Sequence, residues 1–245
     1  MKLIFLAVFG VLLAAWALWQ SSLPRLWKSL SARPVGHFPV WRQVRERLEE
    51  LARQERIPAP GLWILPEFSP NALVLRRRGV QIALTEGLLR SLDSDELDAV
   101  LMLCLAHGES RRRSLQTALA LQLMPFAKLL QTYPLPIQIF LAPWITVLLR
   151  AVSAPSATLR CDRKGTSRGE ALVVAAALQK MAVLGRKIPF RGWNFALDPL
   201  FLISPLKLDG GPFWVFLTQP SVEERRQHLL KWDISTTCES PAGLP

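Results

Sequence analysis

Cysteine and histidine are scarce in this chain, three of each among 245 residues, and its 19 acidic side chains are outnumbered by 30 lysines and arginines. Cys104, Cys161 and Cys238 are too few and too unevenly placed to form a disulfide framework, and all three are expected to be reduced. The basic excess does not point to nucleic acid, because neither Arg76 to Arg78 nor Arg111 to Arg113 is interleaved with aromatic residues or belongs to a nucleic-acid motif. Those runs read as solvated or lipid-facing charge. What the chain does have is apolar surface: half of its residues are hydrophobic, its mean hydropathy is +0.22 and its formal charge is +11. That combination suggests a membrane-bound protein with basic flanks.

Residues 3 to 19 (LIFLAVFGVLLAAWALW) form an apolar run of about the length of a bilayer-spanning helix. Only Lys2 precedes it, whereas Arg25, Lys28, Arg33, Arg42, Arg45 and Arg47 follow, a bias that puts the body of the protein in the cytoplasm. A cleaved signal peptide is the alternative, with Ala15-Trp16-Ala17 as its cleavage site, but the basic stretch behind it resists export. The expected organisation is an anchor over 1–22, a juxtamembrane amphipathic helix within 23–57, a main domain over 58–232 and a disordered tail over 233–245.

Within 38–56, Val40, Val44, Leu48 and Leu51 recur at helical spacing between charges. Three short apolar runs, LWIL, ALVL and VQIAL, separated by turn-rich stretches, predict a small three-stranded sheet. Thr85 can cap the helix that follows, Ser94 or Asp95 the long helix beginning DELDAVLMLCLAH, and Gly108 is placed to end it. Between 115 and 150 two apolar stretches joined by TYPLP and bounded by arginine predict a hairpin that dips into or crosses the membrane; a buried helical hairpin is the alternative. GEALVVAAALQKMAVL predicts a further helix, residues 185–214 an irregular loop, and SVEERRQHLLKW a last helix with Ser221 and Glu224 in a capping box.

Four stretches in this order are informative together: PEFSPNAL with VQIALTEGLLRSL, DELDAVLMLCLAH, LRCDRKGTSRGEALVVAAALQKM, and FLTQPSVEERRQHL. The sequence resembles the membrane gluzincin zinc metallopeptidases of the HtpX and CAAX prenyl protease type. The resemblance implies an α+β, mainly helical, zincin-like domain, a bound zinc, and peptide hydrolysis. It implies a substrate-side edge strand at Asn71 and Ala72, zinc ligands on the helix that ends at His107, and Asp162 and Arg225 as supports beside the metal.

The family's HExxH pairs two histidines at i and i+4 with a glutamate as general base. Laid on this sequence, the first histidine falls at Leu103, the base at Cys104, and His107 alone is kept. The ExxxD element falls on TLRCD, which puts Thr158 at the third ligand position and leaves Asp162 in place, while the histidine of the closing element falls at Gln219. His107 by itself holds no three-ligand zinc. A rebuilt site from Cys104, His107 and Cys161 is the one metal alternative, and a Cys104 and His107 nucleophile pair lacks an orienting group. His37 and His228 lie outside the family's metal positions and read as surface residues. Without a metal, Asp162 and Arg225 read as an ion pair that fixes helix packing, and Asn71 and Ala72 as an unpaired strand edge open to an extended peptide.

These residues predict a membrane-anchored peptidase fold whose catalytic set has been erased, without zinc unless the site is rebuilt, kept for binding a protein partner or membrane protein segment. The competing expectations are an active zinc peptidase with displaced ligands and a structural subunit of a membrane complex.

Overall fold

A computed structural model of the chain describes residues 20, 22–36, 39–130, 132–133, 135–166, 171–191, 194–205 and 218–238. The candidate anchor at 3–19, His37 and the tail after 238 lie outside these residues. Strands β2 (Gly61–Leu65), β3 (Ala72–Arg76) and β4 (Val80–Thr85) are the three apolar runs of the sequence. A fourth strand, β1 (Arg33–Pro34), was not expected: two exposed residues carry no alternation to announce it. The order is β1-β2-β4-β3, with β2 parallel to β4 and the other pairs antiparallel.

Both faces of this sheet are covered, which is why its strands read as continuous apolar runs. Ala72, Val74, Ile82 and Leu84 face a core shared with helix α2 (Pro39–Gln54), α4 (Ser94–Glu109) and α8 (Ala171–Lys187). Leu73, Leu75 and Ala83 face a second core with the first helix, α1 (22–29), with α5 (Arg111–Leu130) and with a 3-10 helix (Phe195–Leu200). In α2 the buried stripe is Trp41, Val44, Leu48, Leu51 and Ala52; Val40, expected inside, is exposed.

Thr85 caps α3 (Glu86–Ser91) as expected, its hydroxyl accepting from the Leu88 N–H. The cap of α4 is Asp93, not Ser94 or Asp95: its carboxylate accepts from Glu96 N–H and Glu96 accepts from Asp93 N–H. Such a reciprocal box stabilises a helix start by about 1 kcal/mol. Nor does Gly108 end α4, which runs on to Glu109. A Cβ at Gly108 would lie 2.4 Å from a Val80 methyl carbon, so the glycine lets the helix cross β4 closely. Gly165, closing α7 (Pro155–Gly165), does the same where a Cβ would lie 3.1 Å from the Leu103 Cα.

Helices α5 and α6 (Leu135–Ser153) form the predicted hairpin. Among the described residues no helix is long and apolar enough to cross a membrane. The stretch expected as irregular from 185 contains the end of α8, the 3-10 helix and a bridge from Phe201 to Leu73. The last helix, α9 (Val222–Cys238), extends through the first residues of the expected tail, and the Ser221 hydroxyl accepts from Glu224 N–H.

Candidate functional site

Helix α4 lies buried under the sheet and carries Leu103, Cys104 and His107 toward α7 and α9, all three at 5% exposure or less. Leu103 packs under Gly165, where a ligand would have needed open space. Only His107 makes polar contacts. Its Nε2 lies 2.8 Å from Asp162 Oδ1 on α7, and its Nδ1 lies 2.8 Å from Arg113 Nη2 in the first turn of α5. A guanidinium has no acceptor, so Nδ1 must accept from Arg113, and the ring proton sits on Nε2 and is donated to Asp162.

The chain of contacts continues at both ends. Arg225 on α9 grips Asp162 with Nε and Nη2, each at 2.7 Å, and donates from Nη1 to the Leu202 carbonyl at 2.6 Å. Arg113 donates from Nη1 to the Pro199 carbonyl at 2.5 Å. Asp162 and Arg225 therefore form the buried pair expected of them, fixing α7 against α9. Burial pushes the Asp162 carboxyl up, but Arg225 and the His107 hydrogen bond outweigh it and hold the group well below the usual carboxylate range. Burial drives the His107 pKa down, and in the opposite sense it pushes the Cys104 thiol up to about 12, leaving that cysteine neutral. Arg113 is lowered by burial to about 10 and is still a cation at neutral pH.

Three of the remaining expected positions come together: Thr158, Cys161 and Gln219 line a narrow cavity with His107, whereas Cys104 does not reach it. Among the described residues no group of three or more His, Cys, Asp or Glu side chains is arranged to hold a metal ion. Gln219, where the resemblance expected the closing element's histidine, donates from Nε2 to the carbonyls of Asp198 and Phe201, at 2.5 and 2.8 Å.

The edge at Asn71 and Ala72, expected to be open, is instead filled by the chain itself. Leu202 N–H donates to Ala72 O at 2.7 Å, and Asn71 bonds both the N–H and the carbonyl of Ile203 through its side chain.

A sequence model of peptidase family M48 matches residues 41–233. The chain belongs to peptidase family M48. Proteins named protease HtpX homolog are similar to it: that of Pyrococcus furiosus is 30% identical over 207 residues, covering 75% of this chain and 71% of the relative. The homolog from Trichormus variabilis is 30% identical over 230 residues, covering 82% and 76%. Among solved structures, S. mikatae Ste24p superposes with a TM-score of 0.52 at 14% identity, covering 93% of this chain and 58% of that one, a likeness of fold.

Does this M48 site fit the zinc that its family implies? Its donors do not. His107 presents no free lone pair, because Nδ1 is committed to Arg113 and Nε2 carries the proton given to Asp162. Two buried guanidiniums stand where charge repulsion opposes a dication. Leu103 offers no donor and Cys104 only a protonated thiol.

Arg113 is the residue the sequence reading misplaced. It is buried, not solvated like its neighbours Arg111 and Arg112. The signal was its register: Arg113, Gln116, Thr117, Ala120, Leu121 and Met124 form one inward stripe of α5 at helical spacing. Asp198 was also missed; it is fully buried and accepts from the Thr218 N–H and from the hydroxyls of Thr218 and Ser204. His228, expected at the surface, is half-buried with Nδ1 enclosed.

Proposed function

We propose that this M48 chain has lost zinc-dependent proteolysis and acts by binding a protein partner or a membrane protein segment. The observation that carries the reading is the bonding of His107, held between Arg113 and Asp162 so that neither ring nitrogen is free for a metal. The self-filled edge at Asn71 to Leu73 supports it, since Leu202 and Ile203 already occupy groups that an extended substrate would pair with. A partner is better served by the hairpin, where Leu115, Phe126, Leu129, Phe140, Trp144 and Val147 are each more than half exposed. With arginine at its ends, this apolar face suits contact with a bilayer or with a helix inside one. Membrane attachment through residues 1–22, with the main domain facing the cytoplasm, belongs to the same proposal.

The test is elemental mass spectrometry on the detergent-purified full chain, with His107→Ala in parallel, alongside cleavage of an unfolded membrane protein. Less than a tenth of a zinc per chain (about background) and no chelator-sensitive cleavage are expected. Near one zinc in the parent and far less in the variant would overturn the reading and favour a peptidase with displaced ligands, for which Cys161 beside His107 is the one supporting observation.

A further inference from the structure

Outside the buried cluster, between the first turn of α5 and the outer face of α7, runs a groove of about 260 Å³. Its charged walls are Glu109, Arg111, Arg112, Arg160 and Lys164. A narrow inner extension of about 10 Å³ shares Ser110, Arg112 and Cys161 with the groove and ends against His107, Arg113 and Ser153.

Four observations converge on the kind of ligand this groove takes. Its one acidic wall residue, Glu109, is already paired with Lys164. Arg111, Arg112 and Arg160 are exposed, and among the described residues no carboxylate lies within 4.0 Å of any of them. Beneath them the buried cluster holds two cations, Arg113 and Arg225, against the single Asp162 carboxylate, with His107 neutral; Asp198 faces Ser204 and Thr218 instead. Arg113, which lines the inner extension, therefore adds a buried cation beneath the exposed arginines, an arrangement that a bound anion relieves. The fourth observation is independent of charge. Ser153, 2% exposed at the end of α6, lines the inner extension, and its Oγ is a buried polar atom with no hydrogen-bond partner among the described residues. Buried hydroxyls are nearly always paired, so an orphan on a residue lining a cationic cavity marks where a ligand oxygen, or a water bound to one, completes the set.

We propose that this groove binds a phosphate-type oxoanion, held by Arg112 and Arg160 at its mouth and met from within by Ser153 and Arg113. Guanidinium groups match phosphate oxygens in paired geometry, and a tetrahedral oxoanion engages several separated donors at once where a carboxylate engages fewer. The groove lies at the arginine end of the α5–α6 hairpin, so the anion is either a lipid headgroup or a free phosphate of the same chemistry. The inference rests on the reading that His107 holds no zinc, since a zinc ion would draw phosphate by itself.

The test uses the full chain in an uncharged detergent, with zinc content measured first. Inorganic phosphate is titrated calorimetrically, and flotation is measured with phosphatidylcholine vesicles with and without phosphatidic acid. Arg112→Gln combined with Arg160→Gln should weaken binding about tenfold or more, while Arg42→Gln with Arg53→Gln, the same charge loss on α2, leaves it unchanged. Ser153→Ala should weaken binding without altering the thermal midpoint. Binding of free phosphate alone assigns a soluble ligand, and flotation that requires phosphatidic acid assigns a headgroup. Equal loss in both arginine pairs, or no binding of either probe by zinc-free protein, overturns the inference and leaves the metal-free reading intact. Stoichiometric zinc, with phosphate binding abolished by a chelator, overturns both.

Discussion

Arg113 donates through Nη2 to His107 Nδ1 at 2.8 Å, and this bond sets the tautomer of the ring. It also ties the first turn of α5 to the end of α4, because Nε of the same guanidinium reaches the His107 carbonyl at 3.4 Å. Replacing Arg113 with Met leaves His107 Nδ1 and the Pro199 carbonyl without donors, while the buried charge that opposed folding also disappears. The net loss expected is about 2 kcal/mol in urea unfolding. Arg112→Met, on the exposed side of the same turn, should cost less than about 0.5 kcal/mol. Equal losses at the two positions would show that Arg113 is not the structural member of the run.

Acid should weaken the fold through His107. Burial lowers its pKa from 6.5 to about 4 against the pull of Asp162. On acidification the unfolded chain takes up this proton first, so stability present at neutral pH is lost progressively from about pH 6.5 down to about pH 4, by on the order of 3 kcal/mol. Asp162, whose carboxyl is held low, adds its own loss at more acid pH. Urea midpoints measured across this window should fall steeply in the parent and more shallowly in His107→Gln; parallel slopes would rule out the histidine as the source.

Installing the ligands expected of the family should not create a zinc site. In the combined variant Leu103→His, Cys104→Glu and Thr158→Glu, His107 still has its acceptor nitrogen occupied by Arg113, whose charge repels a dication. Zinc content is expected to stay well below one per chain until Arg113→Ala is added. If the three ligand changes alone reach one zinc, the guanidinium is not what keeps the centre closed.

Much of this could be read from local pattern. The α2 stripe, the apolar strands and the Thr85 cap follow from spacing and from one hydroxyl placed directly before a helix. At the start of α4 three adjacent residues can cap, and the choice falls on Asp93 because only from there does Glu96 stand at the third helical position and close the box. Gly108 misled because a glycine near a helix end signals a stop, whereas here it serves a tertiary approach to Val80. Arg113 was hidden in a run of three arginines, though its register with Gln116 and Thr117 held the answer. The filling of the β3 edge had no local signal at all, since Asn71 meets Ile203 across 132 positions.

That filled edge is the most direct place to test whether the chain closes itself to a substrate strand. The segment from Asp198 to Ile203 is held by Gln219 at two carbonyls, by Arg225 at Leu202, and by Asn71 at Ile203. Gln219→Ala removes two of these bonds without touching β3 itself. At about 0.5–1.5 kcal/mol net for each bond, the local opening equilibrium should rise by tenfold or more. Hydrogen exchange reads this at the Leu202 amide, which donates to Ala72 O; it should exchange at least about tenfold faster in the variant, while amides in β4 keep their protection. Unchanged exchange at Leu202 would mean that Arg225 and Asn71 hold the segment on their own, and that the glutamine at the lost histidine position adds nothing to closing the edge.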